Sequence, residues 1–187
     1  ASFNGGYVSI PHNSIFNVTD ALTWEFFIKS NPSPNQGIIS KDGLASDTTN
    51  MYYFSNDTGE FRVRFNYPNF NYPLPGVVDS IWAHVIITYD REFVRGYVNG
   101  ELRLKQAFTE ALITNTNDLV IGCYYSPSYP YSGLLDEFSF YNRALDEWEV
   151  KAHYASSVEP TAVNNKFSNI SVDGCGSSPK SPNALPL

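Results

Sequence analysis

Apolar and polar residues alternate along much of the chain with the period of two that indicates β-strands. In segment 21–30 the large apolar side chains recur at every second position, and segment 60–67 repeats the pattern with arginines between them. Segment 81–90 is apolar on both faces, which favours a central strand covered on both sides. The core is predicted to contain these side chains: Trp24, Phe26, Phe61, Phe65, Trp82 and Ile86.

One helix is predicted near the end of the alternating region, over residues 145–154. Asp146 and Glu149 have the spacing of a capping box, in which each side chain accepts a hydrogen bond from the other residue's backbone N–H. Trp148 and Tyr154 are expected on the packing face of this helix. The acidic residues at its start are therefore interpreted as helix-capping groups rather than catalytic ones.

The strands are separated by clusters of Gly, Pro, Asn and Ser, without the strand–helix alternation of a parallel sheet. Asn99-Gly100 predicts a tight hairpin, because both residues tolerate the positive φ values of a type I′ turn. These patterns predict an all-β fold of two packed antiparallel sheets with one short C-terminal helix. Residues 1–154 form the predicted domain, and residues 155–187 a polar Ser/Asn/Pro-rich tail or linker that is irregular.

Composition favours an extracellular module and argues against several other classes. The 187-residue chain is 16% aromatic and only 17% charged, with a net charge of −7. Its basic residues are scattered, so nucleic acid and anionic membrane surfaces are poor partners. No apolar run reaches the roughly 20 residues that a membrane span needs. Sequons at Asn17, Asn56 and Asn169 predict N-glycosylation sites in a secreted glycoprotein.

The two cysteines, Cys123 and Cys175, have neither metal-binding nor catalytic spacing. In an oxidising compartment they are predicted to form one disulfide between a strand and the tail. Such a bond would constrain the unfolded chain by roughly 3–4 kcal/mol. Two unrelated buried or free thiols are the alternative.

The order of several motifs along residues 3–154 resembles one superfamily. The motifs are FNGGYVSIP, LTWEFFIKS, GIISKDG, WAHVIITYD, GYVNGELR, LVIG and YSGLLDEFSFYNRALDEWEV. Together they are similar to the concanavalin A-like lectin/glucanase superfamily, and specifically to its laminin-G-like and pentraxin-like domains. This resemblance implies an antiparallel jelly-roll β-sandwich, but it says much less about function, since the superfamily contains both lectins and glycoside hydrolases.

Catalysis is not expected. Glycoside hydrolysis normally needs two carboxylates that face each other across the sugar. Asp136 and Glu137 are adjacent, so on a regular strand they would point to opposite faces. A glycosidase would need the fold to bring Glu25 and Asp136 together from distant strands. His84 lies among apolar residues and is predicted to be a hydrogen-bonded histidine of the sheet.

Two interpretations of Asp136 stay open. It either accepts backbone hydrogen bonds from the N-terminal strand, or it contributes to a calcium site, as the resemblance implies. Calcium binds six to eight oxygens, and Asn4 with the neighbouring carbonyls would supply part of that shell. Asp42, Asp47 and Asn50 form a second candidate set for calcium.

Two turn regions are unusually aromatic and are the predicted contact sites for a glycan or a protein partner. A flat aromatic ring beside amide groups suits the apolar face and the hydroxyls of a sugar. Packing against the sandwich and a protein interface are the alternatives for these rings. The predicted contact residues are Tyr67, Phe70 and Tyr72 in the first region, and Tyr124, Tyr125, Tyr129 and Tyr131 in the second.

The sequence thus supports a non-catalytic extracellular module that binds glycans or mediates adhesion, with calcium as its candidate cofactor. A structural subunit of a filament, surface layer or appendage, assembled through its loops and tail, is the alternative. A glycoside hydrolase is a further and weaker alternative.

Overall fold

The computed structural model describes residues 1–33, 35–41, 51–57, 59–124 and 129–158. Short strands account for most of the regular structure in these ranges. The strands are β1 (Ser2–Asn4), β2 (Val8–Ile10), β3 (Leu22–Ser30), β4 (Gln36–Lys41), β5 (Tyr52–Asp57), β6 (Glu60–Phe65), β7 (Phe70–Pro73), β8 (Ala83–Tyr89), β9 (Phe93–Val98), β10 (Glu101–Ala107), β11 (Leu119–Ile121) and β12 (Ser132–Tyr141). A 3-10 turn spans Ser14–Phe16, and helix α1 spans Glu147–Val158.

The strands form two six-stranded antiparallel sheets. Sheet A has the order β1-β12-β3-β8-β9-β10, and sheet B has the order β2-β11-β4-β5-β6-β7. The chain passes from sheet A to sheet B between β1 and β2, where Gly5 has a φ of +83° that suits glycine. The predicted all-β sandwich with one C-terminal helix is confirmed.

The main core lies between the sheets and contains the aromatic side chains predicted from the alternation. Trp24, Phe26, Phe61 and Phe65 are all buried there. The Trp24 ring lies 4.9 Å from the ring of Tyr52 and 5.3 Å from that of Phe65. Burying a side chain of this size stabilises the fold by roughly 2–3 kcal/mol.

Two of the predicted core residues lie elsewhere. Trp82 is 43% exposed, because it precedes the first residue of β8 and lies in the loop before that strand. Ile86 is buried, but between the outer face of sheet A and α1, where it packs with Tyr97, Leu145 and Val150. The prediction for Trp82 was wrong, and Ile86 belongs to a second core that attaches the helix.

The capping box of α1 is confirmed. The backbone N–H of Asp146 donates to Glu149 Oε2 at 3.0 Å, and that of Glu149 donates to Asp146 Oδ1 at 2.8 Å. The predicted packing face is wrong at Trp148, which is 83% exposed, because the helix turns Val150 towards the sheet instead. Within the described ranges, no helix is long and apolar enough to cross a membrane.

The Asn99-Gly100 turn and the central position of β8 are also confirmed. Asn99 has a φ of +53° and Gly100 of +75°, as a type I′ turn requires. β8 pairs with β3 on one side and β9 on the other, and all seven of its residues are buried. Tyr154 of α1 rests on the turn, since a Cβ added to Gly100 would lie 2.8 Å from its ring.

Candidate functional site

The outer face of sheet B is built by alternation along β5. Tyr52 and Phe54 point into the core, so Tyr53, Ser55 and Asp57 point outwards. On the neighbouring strand β6, Arg64 is the direct pairing partner of Tyr53. The sheet therefore places aromatic, hydroxyl and charged side chains next to one another on one surface.

Arg64 is held in place by three neighbours. Its terminal nitrogens donate to the Ser55 hydroxyl and to the Asp57 carboxylate. Its Nε donates to Asn71 Oδ1 at 3.0 Å. The side chain is only 8% exposed, and a buried guanidinium requires such a partner for its charge. The bonds to Asp57 and Asn71 fix the guanidinium against the sheet.

Four tyrosine rings contact one another across this surface. The ring centroids of Tyr67 and Tyr53 are 6.0 Å apart, those of Tyr53 and Tyr124 are 4.6 Å apart, and those of Tyr124 and Tyr129 are 6.1 Å apart. The Arg64 guanidinium lies 4.7 Å from the centre of the Tyr53 ring and 5.7 Å from that of Tyr67. Its charge therefore interacts with the faces of both rings.

A glycine lets the second aromatic loop approach this surface. The backbone N–H of Gly37 in β4 donates to the carbonyl of Tyr129 at 2.8 Å. A Cβ at Gly37 would lie 2.2 Å from the backbone nitrogen of Tyr124, closer than any side chain permits. The loop lies directly against β4 because residue 37 has no side chain.

These groups surround an open cavity of about 280 Å³, which we name the tyrosine cavity. Its lining combines aromatic rings with amide, hydroxyl and charged groups. The lining residues are Asn35, Gln36, Gly37, Tyr53, Ser55, Asp57, Arg64, Tyr124 and Tyr129. Aromatic faces beside hydrogen-bonding groups are the chemistry that a sugar ring requires.

The structure brings together three residues from the two aromatic regions predicted separately. Tyr124 and Tyr129 line the tyrosine cavity, and Tyr67 extends its row of rings at one side. Tyr72 is exposed on β7 but is not among the lining residues. Tyr125 lies outside the described residues.

Two predicted contact residues are structural instead. Phe70 is 1% exposed, because it begins β7 opposite Phe65 and packs in the core. Tyr131 is fully buried; its ring packs on Phe3 and its hydroxyl donates to the Leu134 carbonyl at 3.2 Å. Burial raises the pKa of Tyr131 well above its usual range. The prediction was wrong for both residues.

Sequence reasoning missed Tyr53, Asp57 and Arg64 as members of the site. Tyr53 lies in an aromatic strand that resembles core sequence, and only the alternation from Tyr52 shows that it points outwards. The alternation in segment 60–67 places Arg64 between inward-facing apolar residues and so directs it outwards, but the sequence does not show which residues lie beside it. The strand register supplies those neighbours.

A second cavity, of about 640 Å³, lies on the outer face of sheet A beside α1. At its edge Glu25 accepts three hydrogen bonds: from His84 Nε2 at 2.9 Å, His153 Nδ1 at 2.9 Å and the Tyr141 hydroxyl at 3.1 Å. Burial alone would raise the pKa of Glu25, but the bonds from the histidines and tyrosine lower it to about 2. The predicted role of His84 as a hydrogen-bonded sheet residue is confirmed.

The acidic pair of β12 departs from the regular strand that the sequence suggested. Asp136 and Glu137 both line the second cavity, together with Glu25. The register of β12 shifts between Asp136 and Ser139, and Glu137 has a φ of +50°. This bulge turns two adjacent residues towards the same side, so the prediction of opposite faces was wrong.

The predicted calcium ligands Asn4 and Asp136 are separated by the strand register. Asn4 lies opposite Ser132, and Asp136 follows four positions further along β12, about 13 Å away at the usual strand rise. One ion cannot contact both side chains, so this pairing was wrong. The described residues contain no group of three or more His, Cys, Asp or Glu side chains suited to a metal ion. Asp42, Asp47 and Asn50 lie outside them.

Asp136 also does not hold the N-terminal strand through its carboxylate, which accepts from the backbone of Glu137 at 3.1 Å. The backbone of Leu135 holds the N-terminal strand instead. Its N–H donates to the Ala1 carbonyl at 3.0 Å, and its carbonyl accepts from the terminal amine at 2.6 Å. The structural interpretation of Asp136 was therefore wrong in its details.

The predicted disulfide remains a prediction, because Cys175 lies outside the described residues. Cys123 is buried next to the tyrosine cavity, and burial raises the pKa of its thiol to about 11.

The three sequons differ in access. Asn56 is fully buried and its side-chain oxygen accepts from the Gly59 N–H at 2.9 Å, so the folded domain has no room for a glycan there. That prediction was wrong. Asn17 is half-buried and donates to the Asn115 carbonyl at 2.9 Å, and its glycosylation stays a prediction. Asn169 lies outside the described residues.

The family follows from the sequence itself. A family model, Laminin_G_3, of the concanavalin A-like lectin/glucanases superfamily matches residues 3–151. The chain belongs to this superfamily. The resemblance drawn from the motif order is therefore confirmed, and with it the jelly-roll form of the sandwich. A search of curated proteins found no significant match.

Solved structures share the fold at low sequence identity. The binding domain of Paraclostridial Mosquitocidal Protein 1 is 18% identical with a TM-score of 0.66, over 83% of this chain and 42% of that one. A putative carbohydrate binding protein from Bacteroides ovatus is 19% identical with a TM-score of 0.66, over 80% and 45%. Domain 4 of AbnA, an extracellular arabinanase of Geobacillus stearothermophilus solved with arabinotriose, is 16% identical with a TM-score of 0.59, over 81% and 74%.

Proposed function

We propose that this domain is a non-catalytic, extracellular glycan-binding module and that the tyrosine cavity is its binding site. The observation that carries the proposal is the continuous row formed by Tyr67, Tyr53, Tyr124 and Tyr129 beside the cavity. Tyr129 is half-exposed, so one of its faces is available to a sugar ring. Carbonyl, amide and hydroxyl groups at the same surface would bind the sugar hydroxyls.

The comparisons support this proposal at the level of the fold. One neighbour is named a putative carbohydrate binding protein, and another was solved with arabinotriose. The chain spans less than half the length of the first two solved structures, so their ligands are hypotheses for this domain. An extracellular location is likewise a proposal, supported by the composition and by the extracellular arabinanase to which the third structure belongs.

The state of Glu25 argues against its acting as a general acid. A general acid must hold a proton at the working pH, and the pKa of Glu25 is held at about 2. Its three hydrogen bonds also fix it in one orientation beside α1. Incubation with aryl glycosides and plant polysaccharides should therefore release no sugar. A hydrolytic product that disappears in the Glu25→Gln and Asp136→Asn variants would overturn this part of the proposal.

A glycan array with the purified wild-type domain tests the binding itself. We expect a defined set of saccharides to bind, and Tyr129→Ala to weaken binding at least tenfold while circular dichroism stays unchanged. Tyr72→Ala is the matched control, since Tyr72 is exposed but does not line the cavity. Equal loss in the control would refute the site. Repeating the array with a chelator tests whether calcium, which stays a proposal, takes part.

One observation favours the second candidate, assembly with other chains. The loop before β8 exposes three apolar side chains, Val78, Ile81 and Trp82, within five residues. Exposed apolar clusters of this kind often mark protein contacts. Electron microscopy with size exclusion separates the candidates: ordered filaments or sheets that the Ile81→Ser variant abolishes would favour a structural subunit, and discrete monomers would favour the glycan-binding module.

A further inference from the structure

The charges of the tyrosine cavity indicate which glycans it would accept. Among the described residues that line it, Asp57 and Arg64 are the charged ones, and they form an ion pair. The lining is therefore neutral in sum. Resting on the proposed function, we infer that the cavity selects an uncharged sugar residue and rejects sugars that carry a carboxylate or a sulfate.

Arg64 cannot serve an acidic sugar in the usual way. A guanidinium has five N–H groups, and it recognises a carboxylate through two parallel hydrogen bonds. Here Nε donates to Asn71, one terminal nitrogen donates to Ser55 and to Asp57, and the other donates to Asp57. At most one N–H group is left, so a second carboxylate has no two-point partner.

The Asp57 carboxylate would repel an anionic sugar. Asp57 lines the cavity and its side chain is about one-third exposed, so an acidic sugar would bring a like charge next to it. The guanidinium also lies over the Tyr53 and Tyr67 rings, 4.7 Å and 5.7 Å from their centres, which further limits access to the positive charge. A neutral sugar meets neither obstacle, because its hydroxyls both donate and accept hydrogen bonds.

The volume of the cavity suits a short part of a glycan. Pockets for drug-sized ligands range from about 300 to 1,000 Å³, and the tyrosine cavity is about 280 Å³. One or two sugar rings would fill it, with the rest of a longer chain extending along the open row of rings. The charge of those one or two residues therefore decides recognition.

Matched saccharide pairs test the inference on the wild-type protein. Lactose and lactose 3′-sulfate differ in one sulfate group, and α-1,4-galactotriose and trigalacturonic acid differ in the oxidation of C6, so each pair differs mainly in charge. A wider array of neutral and acidic oligosaccharides, measured at the same ionic strength, extends the comparison.

We expect the neutral ligands to bind and each acidic counterpart to bind at least tenfold more weakly. Acidic sugars that bind as tightly as neutral ones would overturn the inference while leaving the proposed function intact. A protein that binds no glycan of either kind would overturn the proposed function, and the inference with it.

A variant that removes the charge of Asp57 provides a second test of the inference. Asp57→Asn leaves the positive charge of Arg64 without its partner, so the ratio of acidic to neutral binding should rise at least tenfold. Glu60→Gln is the matched control, because Glu60 pairs with Arg62, which does not line the cavity. A ratio that stays unchanged in a folded Asp57→Asn variant, or that rises equally in Glu60→Gln, would contradict the role of the ion pair. If Asp57→Asn fails to fold, the wild-type comparison alone decides.

Discussion

On the outer face of sheet A, Glu25 accepts hydrogen bonds from side chains of β8, β12 and α1, and a helix is held against the sheet. On the outer face of sheet B, the tyrosine rings contact one another around an open cavity, and the charges of Asp57 and Arg64 at this cavity neutralise each other. Both faces carry polar and aromatic groups. They differ in how the groups beside each cavity are held: Glu25 is bound by three side chains, one of them from α1, whereas Tyr129 beside the tyrosine cavity is half-exposed.

On sheet A these groups attach helix α1 to the domain, and on sheet B we expect them to bind a ligand. Three donors already hold the Glu25 carboxylate, which leaves about one of its lone-pair sites for a ligand. Tyr129 beside the tyrosine cavity is half-exposed, so a ligand can contact its ring. The following predictions test the contrast, from the largest expected effect to the smallest.

Gly37→Ala should damage the sheet B face most. The added Cβ would lie 2.2 Å from the backbone of Tyr124, so the loop must move away from β4. We expect a loss of about 3 kcal/mol in the free energy of unfolding, measured with urea, together with the loss of glycan binding. Gly6→Ala is the control, because nothing lies within 4 Å of its Cβ position. A stable Gly37→Ala variant that binds normally would show that the close approach is unimportant.

Glu25→Gln should destabilise the sheet A face without affecting recognition. The amide cannot accept from three donors as the carboxylate does, so we expect a loss of about 2 kcal/mol in the free energy of unfolding. Binding to the best array ligand should stay within twofold of the wild-type value. Loss of binding in a fully folded Glu25→Gln protein would mean that the second cavity is the recognition site.

The same carboxylate predicts how stability depends on pH. The pKa of Glu25 is about 2 in the folded domain, against an ordinary value of 4.5. Its ionised form therefore stabilises the fold fully above about pH 4.5, and this contribution is lost as the pH falls from 4.5 to 2. The difference in unfolding free energy between wild type and Glu25→Gln should shrink across that window. A difference that is constant with pH would contradict the assigned pKa.

Asp146→Ala should give the smallest of these effects. It removes the acceptor for the Glu149 N–H at the start of α1, which typically costs about 1 kcal/mol. Thermal unfolding followed by circular dichroism measures the change. Trp148→Ala serves as the control and should change stability by less than about 0.5 kcal/mol, because Trp148 is mostly exposed. A larger loss from Trp148→Ala than from Asp146→Ala would refute the observed packing of the helix.

The sandwich was predictable because its determinants are local in sequence. Period-two alternation identified strands such as β3 and β6, and Asn99-Gly100 identified a turn whose φ values few other residues adopt. The capping box at Asp146 was predictable for the same reason, since both of its hydrogen bonds join residues three apart.

The candidate site was only partly predictable, because its membership depends on strand boundaries and register. Phe70 looked like a loop aromatic, but a strand begins at this residue and turns it inwards. Tyr53 was not singled out from the sequence; it points outwards, since the alternation of β5 assigns the inner face to Tyr52. No local sequence pattern predicts the bulge after Asp136 either.

The most direct test of the contrast is a titration of the 15N-labelled domain with its best array ligand, followed by NMR amide shifts. We predict that the largest shifts fall on β4, β5 and β6 around Gly37, Tyr53 and Arg64, and on Tyr129. Shifts centred instead on Trp82, Glu137 and His153 would place recognition on the outer face of sheet A and contradict this account.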